Sequence, residues 1–262
     1  MIAILGANSH IARDVVPLLD FDIKLFSRGG YDEFGKDSYD AIINFIGVGD
    51  PAKKISMGSE IVEITEKYDN LVMNYLQSNT ECKYIFISSG IVHKHIMPSD
   101  DWYGIAKLYA EYRHREKPEL SIVDLRIFNY FSKAADLSAR FMITDILRAI
   151  INNSELETSP KDILRDYLHP IDLAKIISIV LENGKMNCAI DCYSKESISK
   201  FDLMYEMASV FGLKYKICGD ENGEDYVPLT RNIYGYFPEY TSKRCVVEES
   251  KKILGDTQWS GR

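Results

Sequence analysis

The sequence predicts an α/β fold: a Rossmann-type doubly wound parallel sheet with a small C-terminal lobe. Apolar runs of strand length alternate with helical patterns, and a glycine turn at Gly6 follows the first run directly. Repeated β–α units of this kind form parallel sheets with helices on both faces. The alternation loosens after residue 130. We therefore predict one domain over 1–130, with the remaining sheet elements and a small lobe over 131–262.

Five apolar runs predict the strands of the first half, namely 1–5, 23–26, 40–46, 83–87 and 121–126. Apolar residues at helical spacing predict helices over 59–76 and 103–116, the second ended by Pro118. Further along, the pattern predicts helices near 139–151, 171–183 and 198–211, and strands near 188–192 and 214–218. The segment 226–244 is rich in tyrosine, proline and arginine and predicts a loop.

Composition excludes several classes of protein. With 262 residues, 46% of them hydrophobic, the chain can bury a sizeable core. Its formal charge of -8 argues against a nucleic-acid partner. We expect no membrane partner, because no apolar run reaches the ~20 residues that span a bilayer. Five cysteines without a histidine cluster indicate reduced thiols in a cytoplasmic protein rather than a metal site. We also expect no signal peptide before the first strand.

The first apolar run ends in a segment that resembles a phosphate-binding turn. Strand, tight turn and helix N-terminus together can bind a dinucleotide pyrophosphate through backbone N–H groups. The usual pattern has three glycines, whereas here Gly6 is followed by Ser9 and Ala12 at the second and third positions. Both substitutes are small, so the pattern alone leaves a cofactor loop and a plain βα turn equally open.

A second pattern combines Ser88-Ser89-Gly90, at the end of a strand, with Tyr103 and Lys107 on the following helix. Residues four apart share one face of a helix, so the ammonium can lower the pKa of the phenol. A phenol tuned in this way can exchange a proton with a hydroxyl or carbonyl oxygen, which the serine can also hold. The tyrosine–lysine pair alone is a weak signal, but its order after a glycine turn and a Ser-Ser strand end strengthens it.

Taken together, these motifs resemble the extended short-chain dehydrogenase/reductases, the family of nucleotide-sugar epimerases, dehydratases and reductases. The resemblance spans nearly the whole chain and includes Leu125-Arg-Ile-Phe-Asn129, Arg165-Asp-Tyr-Leu-His-Pro-Ile-Asp-Leu-Ala174 and the closing segment from Val247 to Gly255. It implies an NAD(P) cofactor, a nucleotide-diphosphate sugar as substrate, and a homodimer. The dimer would form through the Tyr103 helix and its neighbour at about 59–78, with Leu108 and Tyr112 in the contact.

The resemblance also implies roles for individual residues. Tyr103 would be the catalytic acid/base, Lys107 would lower its pKa and hold the nicotinamide ribose, and Ser89 would complete the catalytic set. Asn129 and Arg165, with Ser89, would bind the substrate, although a structural ion pair of Arg165 with Asp166 or Asp172 is an alternative. The full cofactor-binding set is Gly6, Asn8, Ser9, His10, Ile11, Arg28, Gly47, Tyr103 and Lys107. No metal is implied.

Two departures from the family pattern refine the prediction. NAD-preferring members carry an acidic residue at the end of the second strand, but this chain has Arg28, which suits the 2′-phosphate of NADP unless it is a solvated surface arginine. The stretch from Arg28 to Asp40 is also too short for the family's usual helix plus strand. The part of the cofactor site that would contact the adenine is therefore smaller than usual. NADP is thus the expected cofactor, with NAD possible.

Three functions follow from the residues and the resemblance. The first is an NADPH-dependent reductase of a keto group on a nucleotide-linked deoxysugar, with a 4-keto-6-deoxysugar expected and Tyr103 as proton donor. The alternatives are a nucleotide-sugar 4-epimerase with bound NAD and a non-catalytic NADP-sensing protein. A dehydratase is disfavoured because Gly90 and Ile91 stand where its carboxylate usually adjoins the serine. We expect His93 and His95 to be surface loop residues.

Overall fold

The computed structural model describes residues 1–94 and 96–255, so His95 lies outside the described residues. The helices are α1 (His10–Val15), α2 (Pro51–Met57), α3 (Glu60–Leu76), α4 (Trp102–Arg115), α5 (Met142–Ile151), α6 (Pro170–Glu182), α7 (Lys200–Phe211) and α8 (Ser242–Leu254). The strands are β1 (Ile2–Leu5), β2 (Ile23–Phe26), β3 (Ala41–Asn44), β4 (Lys83–Ser89), β5 (Ile122–Ile127), β6 (Asn129–Tyr130), β7 (Glu155–Thr158), β8 (Leu164–Arg165), β9 (Tyr167–Leu168), β10 (Asn187–Asp191), β11 (Ile198–Ser199) and β12 (Lys214–Ile217).

The central sheet has six strands in the order β10-β5-β4-β3-β1-β2, and every neighbouring pair is parallel. All residues of β1, β3 and β4 are buried, as expected for parallel strands covered on both faces. The predicted α/β class with a Rossmann-type parallel sheet is therefore confirmed, and the predicted strands of the first half all belong to this one sheet.

Alternation along β1 shows how the sheet is covered. Ile2 and Ile4 pack in the core that includes α1 and α6, whereas Ala3 and Leu5 pack in the core that includes α3 and α4. Successive side chains of a strand point to opposite faces, so each residue of this apolar run contributes to one of two cores.

A third core lies in the C-terminal half. Helices α5, α7 and α8 pack around Phe131 and Tyr167, and the strand predicted near 214–218 is observed as β12, which pairs with β7 rather than with the central sheet. Strand β10 returns to the central sheet beside β5. Among the described residues, no helix is long and apolar enough to cross a membrane.

The sequence did not predict α2 or the short strands β6, β7, β8, β9 and β11. Helix α2 begins after Asp50, whose carboxylate accepts a hydrogen bond from the backbone N–H of Ala52, and ends at Gly58. Its seven residues are flanked by glycines, so they carry too little apolar periodicity for detection. The predicted loop at 226–244 is loop as far as Thr241, where it caps α8.

Candidate active site

The carboxyl ends of the parallel strands bring nearly all predicted site residues to one edge of the sheet. The β1–β3 half of this edge carries the segment from Gly6 to Ile11, Arg28 after β2 and Gly47 after β3. The β4–β5 half carries Ser89 and Asn129, with Tyr103 and Lys107 on α4. Ligands of open α/β sheets bind at this edge, so the topology puts the candidates where a ligand site is expected.

Gly6 is required by the close packing of two strands. Its φ is +74°, and a Cβ at this position would lie 2.9 Å from the backbone nitrogen of Ile46. Both the left-handed conformation and the contact with backbone select glycine. Ser9 then caps α1 by accepting a hydrogen bond from the N–H of Ala12, and Asn8 and His10 are exposed beside it. The turn thus keeps one essential glycine and replaces the others with small or capping residues.

Arg28 is exposed at the end of β2, and the part of the chain that the structure describes gives it no ion pair. The nearby Tyr31 was not singled out from the sequence. Burial raises the pKa of Tyr31, while the backbone of Gly6 and the charge of Arg28 lower it, so these residues lie close together. The guanidinium therefore stands near the glycine turn with its donors available to an anion.

Tyr103 and Lys107 share one face of α4, as predicted. The carboxylate of Asp101 caps this helix by accepting from the N–H of Gly104 at 3.0 Å. Lys107 is 3% exposed, and its Nζ donates to the carbonyl of Ile87 at 2.7 Å and lies 5.9 Å from the centre of the Tyr103 ring. An ammonium has three donors. With that carbonyl as its one hydrogen-bond partner among the described residues, Lys107 can also bind ribose hydroxyls.

A second lysine that the sequence analysis missed lies over the same tyrosine. The Nζ of Lys54, on α2, is 3.4 Å from the centre of the Tyr103 ring, a cation–π contact. Burial lowers the pKa of Lys54 to about 8, and burial together with the charge of Lys54 lowers that of Lys107 to about 8. The only sequence signal was the pair Lys53-Lys54 after a glycine-rich strand end.

The pKa of Tyr103 differs from the expectation. Burial raises it, and the Ser89 hydroxyl lowers it in part, whereas Lys107 is not among the causes. The ammonium of Lys107 donates to the carbonyl of Ile87 and lies 4.3 Å from the centre of the Phe86 ring. In this state Ser89, rather than the lysine, is the group that favours the ionised phenol.

Ser89 lies at the last position of β4, opposite Ile127 of β5. Its Oγ accepts a hydrogen bond from the N–H of Ile91 at 3.4 Å and lies 2.9 Å from the Oη of Tyr226. Next to it, a Cβ on Gly90 would lie 2.4 Å from the ring of Phe128, so no acidic side chain fits there. Tyr226 was assigned only to a loop, and no local pattern in the sequence indicated its contact.

Asn129 lies on β6, and Arg165 lies on β8, two residues before the strand β9 that pairs with β6. The amide of Asn129 donates to the carbonyl of Asp166 at 2.9 Å, next to Arg165. The alternative of an Arg165 ion pair is not observed in the described chain, because its guanidinium donates to the carbonyls of Leu164 and Glu224. Asp166 instead binds Arg231, Ser194 and Ser197.

A network of charged side chains braces the β4–β5 half. Glu111 of α4 accepts from Ser88 at 2.6 Å and from Arg126, whose other end faces Asp191. His93 Nε2 lies 2.8 Å from Asp191, so this half-buried histidine is part of the network and not the free surface residue that the sequence predicted. Burial opposes ionisation of Asp191, but His93 and two backbone N–H groups still hold its pKa below the usual value.

A second buried network lies beneath α4. His114, which is inaccessible to solvent, has one ring nitrogen 2.8 Å from Asp69 and the other 2.7 Å from Asp124. Arg113 and Arg115 pair with the same two carboxylates. Burial works against the charged imidazole, but the two carboxylates raise its pKa to about 9. The histidine is therefore a buried cation that joins α3, α4 and β5.

The five cysteines are free thiols, and Cys188 and Cys192 are not joined although both lie at β10. Within residues 1–94 and 96–255, no group of three or more histidine, cysteine or acidic side chains is placed to hold a metal ion.

Comparison with known proteins gives one matching family model, the NAD dependent epimerase/dehydratase family, over residues 8–190. No curated protein sequence matches the chain.

Solved structures share the fold at low sequence identity. RMD from Pseudomonas aeruginosa, complexed with NADPH, is 17% identical with a TM-score of 0.79, covering 97% of this chain and 99% of that one. UDP-N-acetylglucosamine 4-epimerase from Bacillus cereus is 16% identical with a TM-score of 0.73, at 97% and 99% coverage. dTDP-glucose 4,6-dehydratase from Bacillus anthracis, in complex with NAD, is 12% identical with a TM-score of 0.78, at 98% coverage of both chains.

These structures show the same fold as this chain, whereas the family model matches the sequence itself over more than half of its length. The matched span includes Ser89, Tyr103, Lys107, Asn129 and Arg165. The resemblance to the extended short-chain dehydrogenase/reductases is thereby confirmed, and the protein belongs to the NAD dependent epimerase/dehydratase family.

Proposed function

We propose that this protein is an NADPH-dependent reductase of a keto group on a nucleotide-linked deoxysugar, with a 4-keto-6-deoxysugar as the expected substrate. The observation that carries the proposal is the juxtaposition of Ser89, Tyr103 and Lys107 at the carboxyl edge of the sheet. Members of this family are NAD-dependent enzymes by description, and RMD was solved with NADPH.

The residues present fit the cofactor. Lys107 is buried with donors to spare, and Arg28 is exposed beside the glycine turn, which suits a 2′-phosphate. In this proposal Gly6, Asn8, Ser9, His10 and Ile11 line the pyrophosphate, and Gly47 leaves room in front of Lys107. NADPH when bound supplies the hydride that adds to the carbonyl carbon.

The protein's own residues supply the proton and hold the oxygen. Tyr103 gives its phenolic proton to the carbonyl oxygen as the hydride reaches the carbon, which leaves a phenolate. Lys107 and the hydroxyl of Ser89 stabilise that phenolate until solvent returns the proton. Asn129, on β6, and Arg165, two residues before the strand β9 that pairs with β6, hold the diphosphate of the substrate through amide and guanidinium N–H groups.

Arg28 favours a reductase over the alternatives. A reductase exchanges its cofactor at each turnover and uses NADPH, whereas a 4-epimerase regenerates and retains NAD. A dehydratase needs a carboxylate beside the serine, where Phe128 leaves no room. The non-catalytic sensor would be expected to have lost part of the catalytic set, which is intact here.

The test is NADPH consumption by the purified protein with a set of nucleotide-linked 4-keto-6-deoxysugars. Stoichiometric loss of NADPH and of the keto group supports the proposal. Interconversion of two nucleotide sugars without net loss of cofactor would support the epimerase instead. Tight binding of NADP without any turnover would favour the sensor.

We also propose a homodimer through α3 and α4. The outer face of α4 exposes Tyr109 and Tyr112, 45% and 64% accessible, with Leu108 half-buried beside them. Aromatic side chains on one helix face suit a helix–helix contact between two copies. Light scattering at micromolar concentration should give twice the mass of one chain, and Tyr112→Glu should shift the protein towards the monomer.

A further inference from the structure

Tyr226, in the loop segment before α8, lies at the carboxyl edge of the sheet beside Ser89. Its backbone N–H donates to the carbonyl of Leu164 at 3.0 Å, and its ring lies 5.1 Å from that of Phe128. The segment after it is fixed by Asp191, whose carboxylate accepts hydrogen bonds from the backbone N–H groups of Leu229 and Thr230. The phenol is therefore held on both sides rather than carried on a free loop.

Two neighbouring groups engage the hydroxyl of Ser89. A serine hydroxyl has one donor and two acceptor lone pairs. The N–H of Ile91 occupies one lone pair at 3.4 Å, and the Oη of Tyr226 lies 2.9 Å away. Burial raises the pKa of Tyr226, and the backbone N–H of Ile91 also donates towards its oxygen. The Ser89 hydroxyl lowers this pKa in part, and in the pair of Ser89 and Tyr226 either oxygen can be the donor.

We propose that Tyr226 is a positioning residue for the reduction: it donates to Ser89, so that the hydrogen of Ser89 is aimed at Tyr103 and the substrate oxygen beside it. With Tyr226 as donor and the N–H of Ile91 on the other lone pair, the hydroxyl of Ser89 is left to donate. A fixed donor matches an oxygen that only accepts, as a carbonyl does, and strengthens as negative charge develops there. The inference rests on the proposed function.

The decisive variant is Tyr226→Phe, which keeps the ring against Phe128 and removes the donor. We expect kcat to fall roughly 3- to 10-fold, the effect of one lost hydrogen bond, with the KM and the affinity for NADPH unchanged. Tyr236→Phe is the matched control, because Tyr236 is also buried in the tail but donates to the carbonyl of Tyr193. It should keep the natural kcat.

A double-mutant cycle separates positioning from a structural effect. In a Ser89→Ala background, Tyr226→Phe should cause no further loss of kcat, because its only route to the reaction has been removed. Independent losses that multiply would overturn the inference, as would a change confined to KM.

A second readout does not depend on turnover. With tyrosine labelled by ¹³C at Cζ, the resonance of Tyr103 is identified by its loss in Tyr103→Phe. It should move most in Ser89→Ala, less in Tyr226→Phe and not at all in Tyr236→Phe. If no sugar is reduced but this order is found, the proposed reaction fails while the positioning role stands. An unmoved Tyr103 resonance in Tyr226→Phe rejects the role even in an active enzyme.

Discussion

The two halves of the carboxyl edge are built by different means. The β1–β3 half relies on backbone geometry, because the left-handed Gly6 packs against the backbone of Ile46. Its charged side chain, Arg28, is exposed and has no ion pair among the described residues. The β4–β5 half relies on buried side chains, among them Lys107 and the ion pairs of Glu111 and Arg126. A site built from backbone tolerates changes of side chain, whereas one built from buried charges depends on each partner.

The largest effect should come from removing the proposed proton donor in the β4–β5 half. Tyr103→Phe keeps the ring under Lys54 and should lower turnover by roughly 10²–10⁴-fold, the usual contribution of general acid catalysis. Binding of NADPH should survive. Steady-state rates of NADPH consumption and titration calorimetry give the two quantities. Tyr205→Phe, an exposed change on α7, is the control, and natural turnover by Tyr103→Phe would refute the assignment.

In the β1–β3 half, the comparison predicts that substitutions which disturb the backbone lower the free energy of unfolding most. Gly6→Ala should lower the free energy of unfolding by roughly 2–4 kcal/mol, from its positive φ and the clash with backbone. Gly29 also has a positive φ, +86°, but nothing lies within 4 Å of its Cβ position, so Gly29→Ala should cost about 1 kcal/mol. Urea denaturation measures both, and equal losses would mean that strand packing does not select Gly6.

The difference between the halves also explains what the sequence could predict. Gly6, Ser89, Tyr103 and Lys107 lie within local strand–turn–helix patterns, so their common edge followed from parallel strands alone. Lys54 and Tyr226 reach that edge from a short helix and from the tail, and no local periodicity places them. The opposite pKa direction of Tyr103 depends on burial, which only the packed structure contains.

Arg28 should set the cofactor preference with a smaller effect. NADPH should bind more tightly than NADH, and Arg28→Asp should reduce the affinity for NADPH roughly 10- to 100-fold, as expected for hydrogen bonds to a charged phosphate. Lys185→Asp is the control. It makes the same change of charge on an exposed residue before β10, the edge strand on the opposite side of the sheet from β2. Titration calorimetry with both cofactors would show equal affinities in the natural protein if the guanidinium only faces solvent.

The smallest and most specific effect concerns the buried histidine beneath α4. Since contacts with Asp69 and Asp124 raise the pKa of His114 from 6.5 to about 9, its charge stabilises the folded state fully below pH 6.5, and this stabilisation is lost as the pH rises through 9. Lys54 and Lys107 act in the opposite sense, because their pKa values are lowered to about 8 and folding becomes easier as they lose their protons. The two trends overlap in the natural protein.

A variant separates them. The stability difference between the natural protein and His114→Gln should be on the order of 1–3 kcal/mol at pH 6 and should shrink between pH 6.5 and 9. Urea denaturation at each pH gives this difference, in which the lysine contributions cancel. A constant difference across that range would mean that the histidine braces the β4–β5 half by packing between Tyr84 and Phe86, and not by its charge. The reliance of this half on buried charge would then rest on its other buried groups, among them Lys107, Glu111 and Arg126.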